Sequence, residues 1–290
     1  MIEHIPEQRI KPCKSVPVRL LLKMAKLSKN DSFVDLSDYG RPLAVAAAAR
    51  LKNTSATPIQ VTLAFGVAGL IAVFSILSGY YVIAGIFLIL KSIIDAMDGE
   101  LARMKKTPSY SGRYLDSIFD FILNFIIILT IWTVSNSPLW AAFLAFFCIQ
   151  LQGTLYNFYY VILRHQSSEG DRTSKIFETE VPQAYPHENQ RTVDILFKLY
   201  RLFYSTFDKI IYTLDMKAPQ AGSFPKWFMT LLSVYGLGFQ LLIIAFMLAV
   251  GLVNLIIPFF IAFSFFIFLF VCIRRIFLTG QSQHSIIYRD

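Results

Sequence analysis

The stretch DAMDGELARMKKTPSYSGRYLDSIFD, residues 95–120, decides how this chain folds. It carries four aspartates, Asp95, Asp98, Asp116 and Asp120, and it joins two apolar runs of membrane-spanning length. The first pair is spaced i,i+3 and the second i,i+4, so each pair shares one face of a helix. Carboxylates at such positions are costly within a membrane, and they indicate a functional site.

The composition of the chain is that of a membrane protein. The 290 residues are 55% hydrophobic and only 16% charged, whereas soluble domains carry about 25% charged residues. We interpret the net charge of +8 as membrane topology and attraction to anionic lipid, and we expect no nucleic-acid partner. The sequence therefore predicts an all-α integral membrane protein.

Six apolar runs are long enough to be transmembrane helices. They cover about residues 58–78, 80–104, 112–135, 138–163, 226–250 and 252–275. Residues 1–57 form a predicted N-terminal segment, in which 31–53 is too polar to span and suits an interfacial helix. We expect the membrane domain over 58–276, followed by a tail over 277–290.

The long connection between the fourth and fifth runs, residues 165–215, is predicted to be a polar loop followed by an amphipathic helix over 192–215. Two placements of that helix stay open. It either lies on the membrane surface or packs on the ends of the transmembrane helices.

The basic residues indicate one orientation for the whole chain. Apart from Lys91, every lysine and arginine falls on one side of the six-span arrangement. The positive-inside rule therefore places both termini, the 165–215 connection and the aspartate-bearing loop in the cytoplasm.

Antiparallel packing of the second and third runs brings the four carboxylates to matching depths. At a rise of about 1.5 Å per residue, Asp95 and Asp120 each lie about 22 Å from the outer ends of their helices. Asp98 and Asp116 lie about 27–28 Å from those ends. Four adjacent carboxylates cannot all stay ionised without compensation, and all-oxygen ligands favour Mg²⁺, Mn²⁺ or Ca²⁺ over zinc. Two adjacent hard cations are typical of phosphoryl transfer.

The surrounding charges leave two questions open. The aspartates could instead be loop carboxylates that form surface salt bridges with Arg103, Lys105, Lys106 and Arg113. Lys91, one helical turn before Asp95, is either a counter-ion for the aspartates or a contact for an anionic acceptor. Arg103 is also a candidate partner for a phosphate group.

The full pattern D-x2-D-G-x2-A-R-x8-G-x3-D-x3-D runs through this stretch without a gap. Its positions are Asp95, Asp98, Gly99, Ala102, Arg103, Gly112, Asp116 and Asp120. The pattern resembles the signature of the CDP-alcohol phosphotransferase family, and the six-span arrangement with a preceding interfacial helix is similar to that family as well. The 165–215 connection is not a common feature of the family.

The resemblance implies a two-metal site that uses Mg²⁺ or Mn²⁺. Asp95, Asp98 and Asp116 would ligate the metals, and Asp120 would be a further ligand or lie beside them. The resemblance also implies that Asp120 acts as general base on the acceptor hydroxyl and that CMP leaves. The residues that would hold the CDP moiety are Asp98, Gly99, Ala102, Arg103 and Gly112.

The resemblance thus predicts a phospholipid-synthesising phosphotransferase. The donor in the commoner arrangement is CDP-diacylglycerol and the acceptor is a small alcohol, with membrane lipids as partners and a homodimer as the expected assembly. Transfer from CDP-choline or CDP-ethanolamine to diacylglycerol is the alternative within the same chemistry. A membrane cation transporter is a third possibility. Against it, the outer halves of the second and third apolar runs carry no continuous series of polar residues along which an ion could pass.

Overall fold

A computed structural model of the chain describes residues 32–166, 177–222 and 224–278. Within these ranges the secondary structure is helical and contains no β-strand, which confirms the all-α prediction. The predicted N-terminal segment up to residue 31, the loop over 167–176 and the tail from residue 279 lie outside the described residues. The helices are α1 (Arg41–Leu51), α2 (Pro58–Leu77), α3 (Tyr81–Lys105), α4 (Tyr110–Thr133), α5 (Leu139–Gln166), α6 (Gln190–Leu214), α7 (Lys226–Leu232), α8 (Leu237–Ala249), α9 (Val253–Phe263) and α10 (Phe265–Phe277).

Four of the described helical segments are long and apolar enough to cross a membrane. They are Pro58–Leu77, Tyr110–Thr133, Leu139–Gln166 and Val253–Ile276, the last of which joins α9 to α10. The segments Lys226–Tyr235 and Leu237–Ala249 meet at a bend of 53°. They add a fifth span if the two together cross the membrane once. α3 has 25 residues but is less apolar, because its second half carries two aspartates and their basic neighbours. The count of six spans therefore stays a prediction.

Local sequence determines where the helices that flank the aspartates begin and end. Thr57 and Gln60 form a capping box at the start of α2, with Gln60 N donating to Thr57 Oγ1 at 3.3 Å and Thr57 N donating to Gln60 Oε1 at 2.9 Å. Ser109 caps α4 by accepting a hydrogen bond from Gly112 N at 2.8 Å. α3 ends at Lys105, and the left-handed φ of 54° at Lys106 turns the chain towards α4.

The main apolar core lies between α2, α3, α4, α5, α8 and α9. Its fully buried members include Leu88, Ile127, Ala142 and Phe260. α3 and α8 approach each other closely at Gly85, where an added Cβ would lie 2.9 Å from the carbonyl oxygen of Ala245. Small residues permit such close contact between helices, so a larger side chain at this position would push α3 and α8 apart.

The amphipathic helix α6 packs against the bundle and also exposes an apolar stripe. Phe203 stacks on Phe121 of α4 with ring centroids 4.7 Å apart, and Phe207 contacts Phe147 of α5 at 5.2 Å. A further set of apolar residues at helical spacing is exposed on α6, namely Ile195, Leu199 and Leu202. The structure therefore confirms that this helix packs against the bundle, and the exposed stripe is compatible with the membrane-surface placement, which stays a prediction.

The run over 226–250, predicted as one continuous span, is interrupted in the structure. α7 ends at Leu232, the residues Ser233–Tyr235 form a 3₁₀ turn, and α8 begins at Leu237. The turn at Leu36–Asp38 packs into this break: Leu36 N donates to Ser233 Oγ at 2.9 Å. An added Cβ at Gly238 would lie only 2.0 Å from Ser37 O, so glycine is required at this contact.

Candidate active site

Three aspartates from two antiparallel helices meet at one point. Asp95 and Asp98 of α3 and Asp116 of α4 each offer one carboxylate oxygen, and these three atoms lie within 4.8 Å of one another. Thr62 of α2 orients the group, because its Oγ1 donates to Asp98 Oδ2 at 2.6 Å. The predicted convergence of these carboxylates is therefore confirmed, and we call them the three-carboxylate group.

The three-carboxylate group fits a divalent cation. Oδ1 of Asp116 is buried and accepts no hydrogen bond from any described residue. A buried acceptor without a donor is costly, and a bound cation would satisfy it. The ligand atoms are all carboxylate oxygens, which hard cations such as Mg²⁺ and Mn²⁺ prefer.

Asp120 lies beside this group and is paired with a lysine. Lys91 Nζ donates to Asp120 Oδ1, and the side chain of Lys91 is completely buried. The same ammonium lies 4.9 Å from the ring centroid of Phe65. This contact confirms Lys91 as a counter-ion of the aspartates. A role for Asp120 as metal ligand stays a prediction.

Glu100 organises the basic residues next to the aspartates. It accepts from Arg41 of α1 at 2.6 Å and lies 2.7 Å from a terminal nitrogen of Arg103. Arg41 also pairs with Asp38 at 2.6 Å, so the turn before α1 is joined to α3. Gly99 lies beside Arg103, because an added Cβ would be 3.6 Å from both terminal guanidinium nitrogens. The motif identified Arg103 and Gly99 as site residues, but nothing in it indicated Glu100 or Arg41.

A segment of the long connection covers the start of α4. Glu188 accepts hydrogen bonds from Ser109 Oγ at 2.8 Å, Tyr110 N at 3.1 Å and Ser111 N at 2.7 Å. The first backbone N–H groups of a helix have no partner within it, and a carboxylate near them is favoured. Partial burial acts to raise the pKa of Glu188, but these hydrogen bonds hold it below its usual range.

A second carboxylate of the same segment fixes it further along α4. Glu178 pairs with Arg113 at 2.7 Å and accepts from Tyr114 Oη at 2.6 Å. We call residues 177–189 the strap, because Glu178 and Glu188 anchor it at both ends. The strap places Tyr185 on Tyr110, with stacked rings whose centroids are 4.9 Å apart. Sequence reasoning missed these residues, since no local pattern indicates contacts over such chain separations.

Three cavities meet at the aspartates. The α3–α4 cavity has a volume of about 380 Å³ and lies beside the end of α3 and the start of α4. Asp116, Tyr110 and Tyr185 are among the residues that line it. The central cavity, of about 330 Å³, contains all four aspartates, and the α6 cavity, of about 280 Å³, lies between α4, α5 and α6. The five residues predicted to hold CDP all line the α3–α4 cavity, namely Asp98, Gly99, Ala102, Arg103 and Gly112.

Residues 55–177 match the family model described as CDP-alcohol phosphatidyltransferase. This segment covers α2 to α5 and includes the four aspartates and Lys91. The spanning-length apolar helices and this family together indicate an integral membrane protein.

Two curated proteins are similar to part of the chain. The bifunctional IPC transferase and DIPP synthase of Thermococcus kodakarensis is 32% identical over 123 residues, which are 42% of this chain and 28% of that protein. The protein with the same description from Archaeoglobus fulgidus is 32% identical over 110 residues, which are 37% of this chain and 21% of that protein. The matched segment thus spans between a fifth and three tenths of the length of these relatives.

Proposed function

We propose, from the premise that residues 55–177 form a CDP-alcohol phosphatidyltransferase domain, that this chain is an integral membrane phosphotransferase. It moves a substituted phosphate from a CDP-linked donor to an alcohol acceptor and releases CMP. The observation that carries the proposal is the three-carboxylate group, which borders the α3–α4 cavity where the predicted CDP residues meet.

The metal-binding part of the site consists of Asp95, Asp98 and Asp116, with Asp120 as a further candidate ligand. Thr62 orients Asp98 by its hydrogen bond, and the unsatisfied Oδ1 of Asp116 supports a cation at this place. Bound Mg²⁺ or Mn²⁺ would neutralise the pyrophosphate of the donor and stabilise the departing CMP.

The α3–α4 cavity is the proposed site of the CDP moiety. Gly99 and Gly112 leave space for a ligand against the helix backbones, and the Arg103 guanidinium, positioned by Glu100, would contact a donor phosphate. Tyr185 of the strap and Tyr110 present aromatic rings at the same cavity, and a nucleobase stacks favourably on such rings.

Asp120 is the proposed general base. A carboxylate within hydrogen-bond reach of a hydroxyl removes its proton as the oxygen attacks. The acceptor oxygen would bond to the β-phosphorus of the donor as the bond from that phosphorus to the CMP oxygen breaks. The proton would move to Asp120 and then to solvent. Lys91, bonded to Asp120, orients the carboxylate for this role.

We also propose six membrane spans, with α3 completing the count and both termini and the site facing the cytoplasm. Basic residues other than Lys91 fall on one side of that arrangement, which supports the orientation. α3 contains Lys91 and two of the aspartates, but other helices surround this part of the site, which lowers the cost of crossing the membrane.

CDP-diacylglycerol is the donor that we favour. α2 contributes Pro58 and Thr62 to the α3–α4 cavity. Along its outer side the same helix exposes apolar residues to lipid, namely Leu63, Val67 and Leu70. A lipid-linked donor could therefore keep its acyl chains in the membrane while its nucleotide enters the cavity. Transfer from CDP-choline or CDP-ethanolamine to diacylglycerol uses the same catalytic residues and is the alternative.

A CMP-release assay tests the proposal. Purified protein in lipid nanodiscs, supplied with Mg²⁺ or Mn²⁺, a CDP-linked donor and a panel of alcohols, should release CMP only when an acceptor is present. Asp120→Asn should abolish turnover and retain metal-dependent binding of the donor. Metal-dependent ion flux without CMP release would overturn the proposal in favour of transport.

A further inference from the structure

Most of the residues that line the α6 cavity have polar side chains. It lies between α4, α5, α6 and the start of α8, at the level of Asp120. Its polar lining residues are Ser117, Asp120, Asn124, Gln150, Thr154, Tyr156, Asn157, Tyr200, Tyr204, Asp208 and Gln240. A polar cavity inside a membrane bundle is expensive and marks a place where a polar ligand or water enters.

Many of these polar groups have no hydrogen-bond partner among the described residues. Tyr204 and Gln240 donate to backbone carbonyls, of Ser117 at 2.8 Å and of Ile149 at 3.2 Å, so they serve the fold. By contrast, six lining side chains form no hydrogen bond with any described residue, namely Asn124, Gln150, Thr154, Asn157, Tyr200 and Asp208. Amides, hydroxyls and a carboxylate together offer both donors and acceptors, which is the complement of a hydroxyl-rich molecule.

Among the described residues, the α6 cavity offers no cationic side chain to an anionic ligand. Asp120 and Asp208 line it, and none of the described residues that line it is a lysine, arginine or histidine. The cationic side chains lie at the other two cavities, with Arg103 and Arg164 at the central cavity and Arg103, Lys106 and Arg113 at the α3–α4 cavity. A phosphorylated acceptor would therefore find no cationic side chain to pair with its phosphate in the α6 cavity, whereas an uncharged alcohol needs none.

The size and position of the cavity suit a small acceptor. Its volume of about 280 Å³ is just below the range of about 300–1,000 Å³ typical of sites for drug-sized ligands. Asp120, Tyr156 and Asn157 line both this cavity and the central cavity. A molecule in the α6 cavity would therefore reach Asp120 from a cavity that shares no lining residue with the α3–α4 cavity, where the CDP residues lie.

We infer that the α6 cavity is the acceptor site and that it takes a small uncharged polyhydric alcohol. This inference rests on the proposed phosphotransferase function and specifies its acceptor. It also assigns a role to the long connection, because α6 contributes Tyr200, Tyr204 and Asp208 to the wall of the cavity. The hydroxyl that faces Asp120 thus belongs to a free polyol and to neither a polyol phosphate nor diacylglycerol.

The first experiment compares acceptors with one donor. Full-length protein in nanodiscs is supplied with Mn²⁺, CDP-diacylglycerol and one of glycerol, inositol, glycerol 3-phosphate, inositol 1-phosphate or diacylglycerol, and CMP is measured. We expect kcat/KM for an uncharged polyol to exceed that of its own phosphate at least about tenfold.

The second experiment alters the lining without altering the aspartates. Gln150→Leu and Asn157→Leu remove hydrogen-bonding groups that the fold does not use, and each should raise the KM for the polyol at least about tenfold while the KM for the donor changes less than about twofold. Gln220→Leu makes the same kind of change at an exposed position outside the three cavities and should alter neither constant. Metal-dependent donor binding by each variant reports that it has folded.

The outcomes separate the acceptor assignment from the proposed function. CMP release with a phosphorylated polyol or diacylglycerol, and with no uncharged polyol, overturns the assignment and leaves the phosphotransferase function intact. An unchanged polyol KM in both folded variants also overturns it. No CMP release with any acceptor, together with no metal-dependent donor binding, overturns the proposed function and this inference with it.

Discussion

Lys91 and Asp120 form an ion pair between the middle of α3 and the middle of α4, directly beside the three-carboxylate group. Removing one partner of a buried ion pair leaves an uncompensated charge, at a cost of about 3–5 kcal/mol. We therefore expect Lys91→Met to lower the thermal unfolding temperature in detergent and to reduce CMP release.

The double variant Lys91→Met/Asp120→Asn separates these two effects. It should regain much of the lost thermal stability, because no unpaired charge remains, yet it should stay inactive without the proposed general base. A Lys91→Met protein as stable as the wild type would show that the pair carries no structural role.

Metal affinity should depend on the three-carboxylate group and on Thr62. Asp116→Asn keeps the size of the side chain but removes a charged ligand, so we expect Mn²⁺ binding, measured by electron paramagnetic resonance, to weaken at least about tenfold. Thr62→Val removes the hydrogen bond to Asp98 and should weaken binding about tenfold. Asp194→Asn, at a half-buried carboxylate on α6 that lines none of the three cavities, serves as the control and should leave Mn²⁺ affinity unchanged.

The strap should govern affinity for the donor. Tyr185→Ala removes one aromatic wall of the α3–α4 cavity, and we expect the KM for the donor to rise about tenfold, within the range of a lost base stack. Tyr185→Phe retains the ring and should behave as the wild type. Glu188→Gln should produce a smaller rise, since it weakens the anchor at the start of α4. A change in kcat alone for Tyr185→Ala would argue against a role in binding the donor.

The buried pair of Asp215 and Arg274 should contribute strongly to stability. Arg274 is joined to the Asp215 carboxylate, which also accepts from Tyr159 Oη at 2.6 Å. Asp215→Asn should destabilise the fold by about 3–5 kcal/mol, because Arg274 keeps its charge without a counter-ion. Arg275 is exposed and lies 3.8 Å from the same carboxylate, so Arg275→Gln should cost less than about 1 kcal/mol. Chemical denaturation in mixed micelles provides the comparison.

Asp208 should make stability depend on pH. Burial and, to a smaller extent, the charge of Glu178 raise the pKa of Asp208 to about 7, compared with about 3.9 in an unfolded chain. The folded state therefore binds the proton more tightly, and stability falls as pH rises from about 4 to about 7. Asp208→Asn should unfold at a higher temperature than the wild type at pH 8.5, and the difference should shrink at pH 5.5. An equal difference at both pH values would contradict the raised pKa.

Local sequence patterns were sufficient to predict α2 to α5 and the helix faces that carry the aspartates. Apolar runs of spanning length predicted α2 to α5 within a few residues, and the i,i+3 and i,i+4 spacings predicted which carboxylates share a face. The break at Ser233–Tyr235 was not predicted. Ser233, Gly236 and Gly238 interrupt the apolar run over 226–250, but the length of that run favours one continuous span. The contact that accommodates the break comes from Leu36, so its position also depends on tertiary packing.

Hydrophobic periodicity also did not predict which side chains line the site. Glu188 binds Ser109 and the backbone of Tyr110 and Ser111, 77–79 positions earlier in the chain. Gln150 and Asn157 are recognisable from sequence as polar residues in an apolar helix, and interhelical hydrogen bonds are the usual explanation. Only the cavity they face distinguishes them from residues that serve packing.

The contact between Leu36 and Ser233 has a consequence for the order in which the protein is assembled. The two residues are 197 positions apart in the chain, so the turn before α1 emerges from the ribosome long before its partner is made. Chains grow N-terminus first at about 5–20 residues per second, which leaves this turn unpaired for roughly ten seconds or more. The part of the site built from Asp35 to Gly40 is therefore completed late in biogenesis, after α8 has entered the bundle.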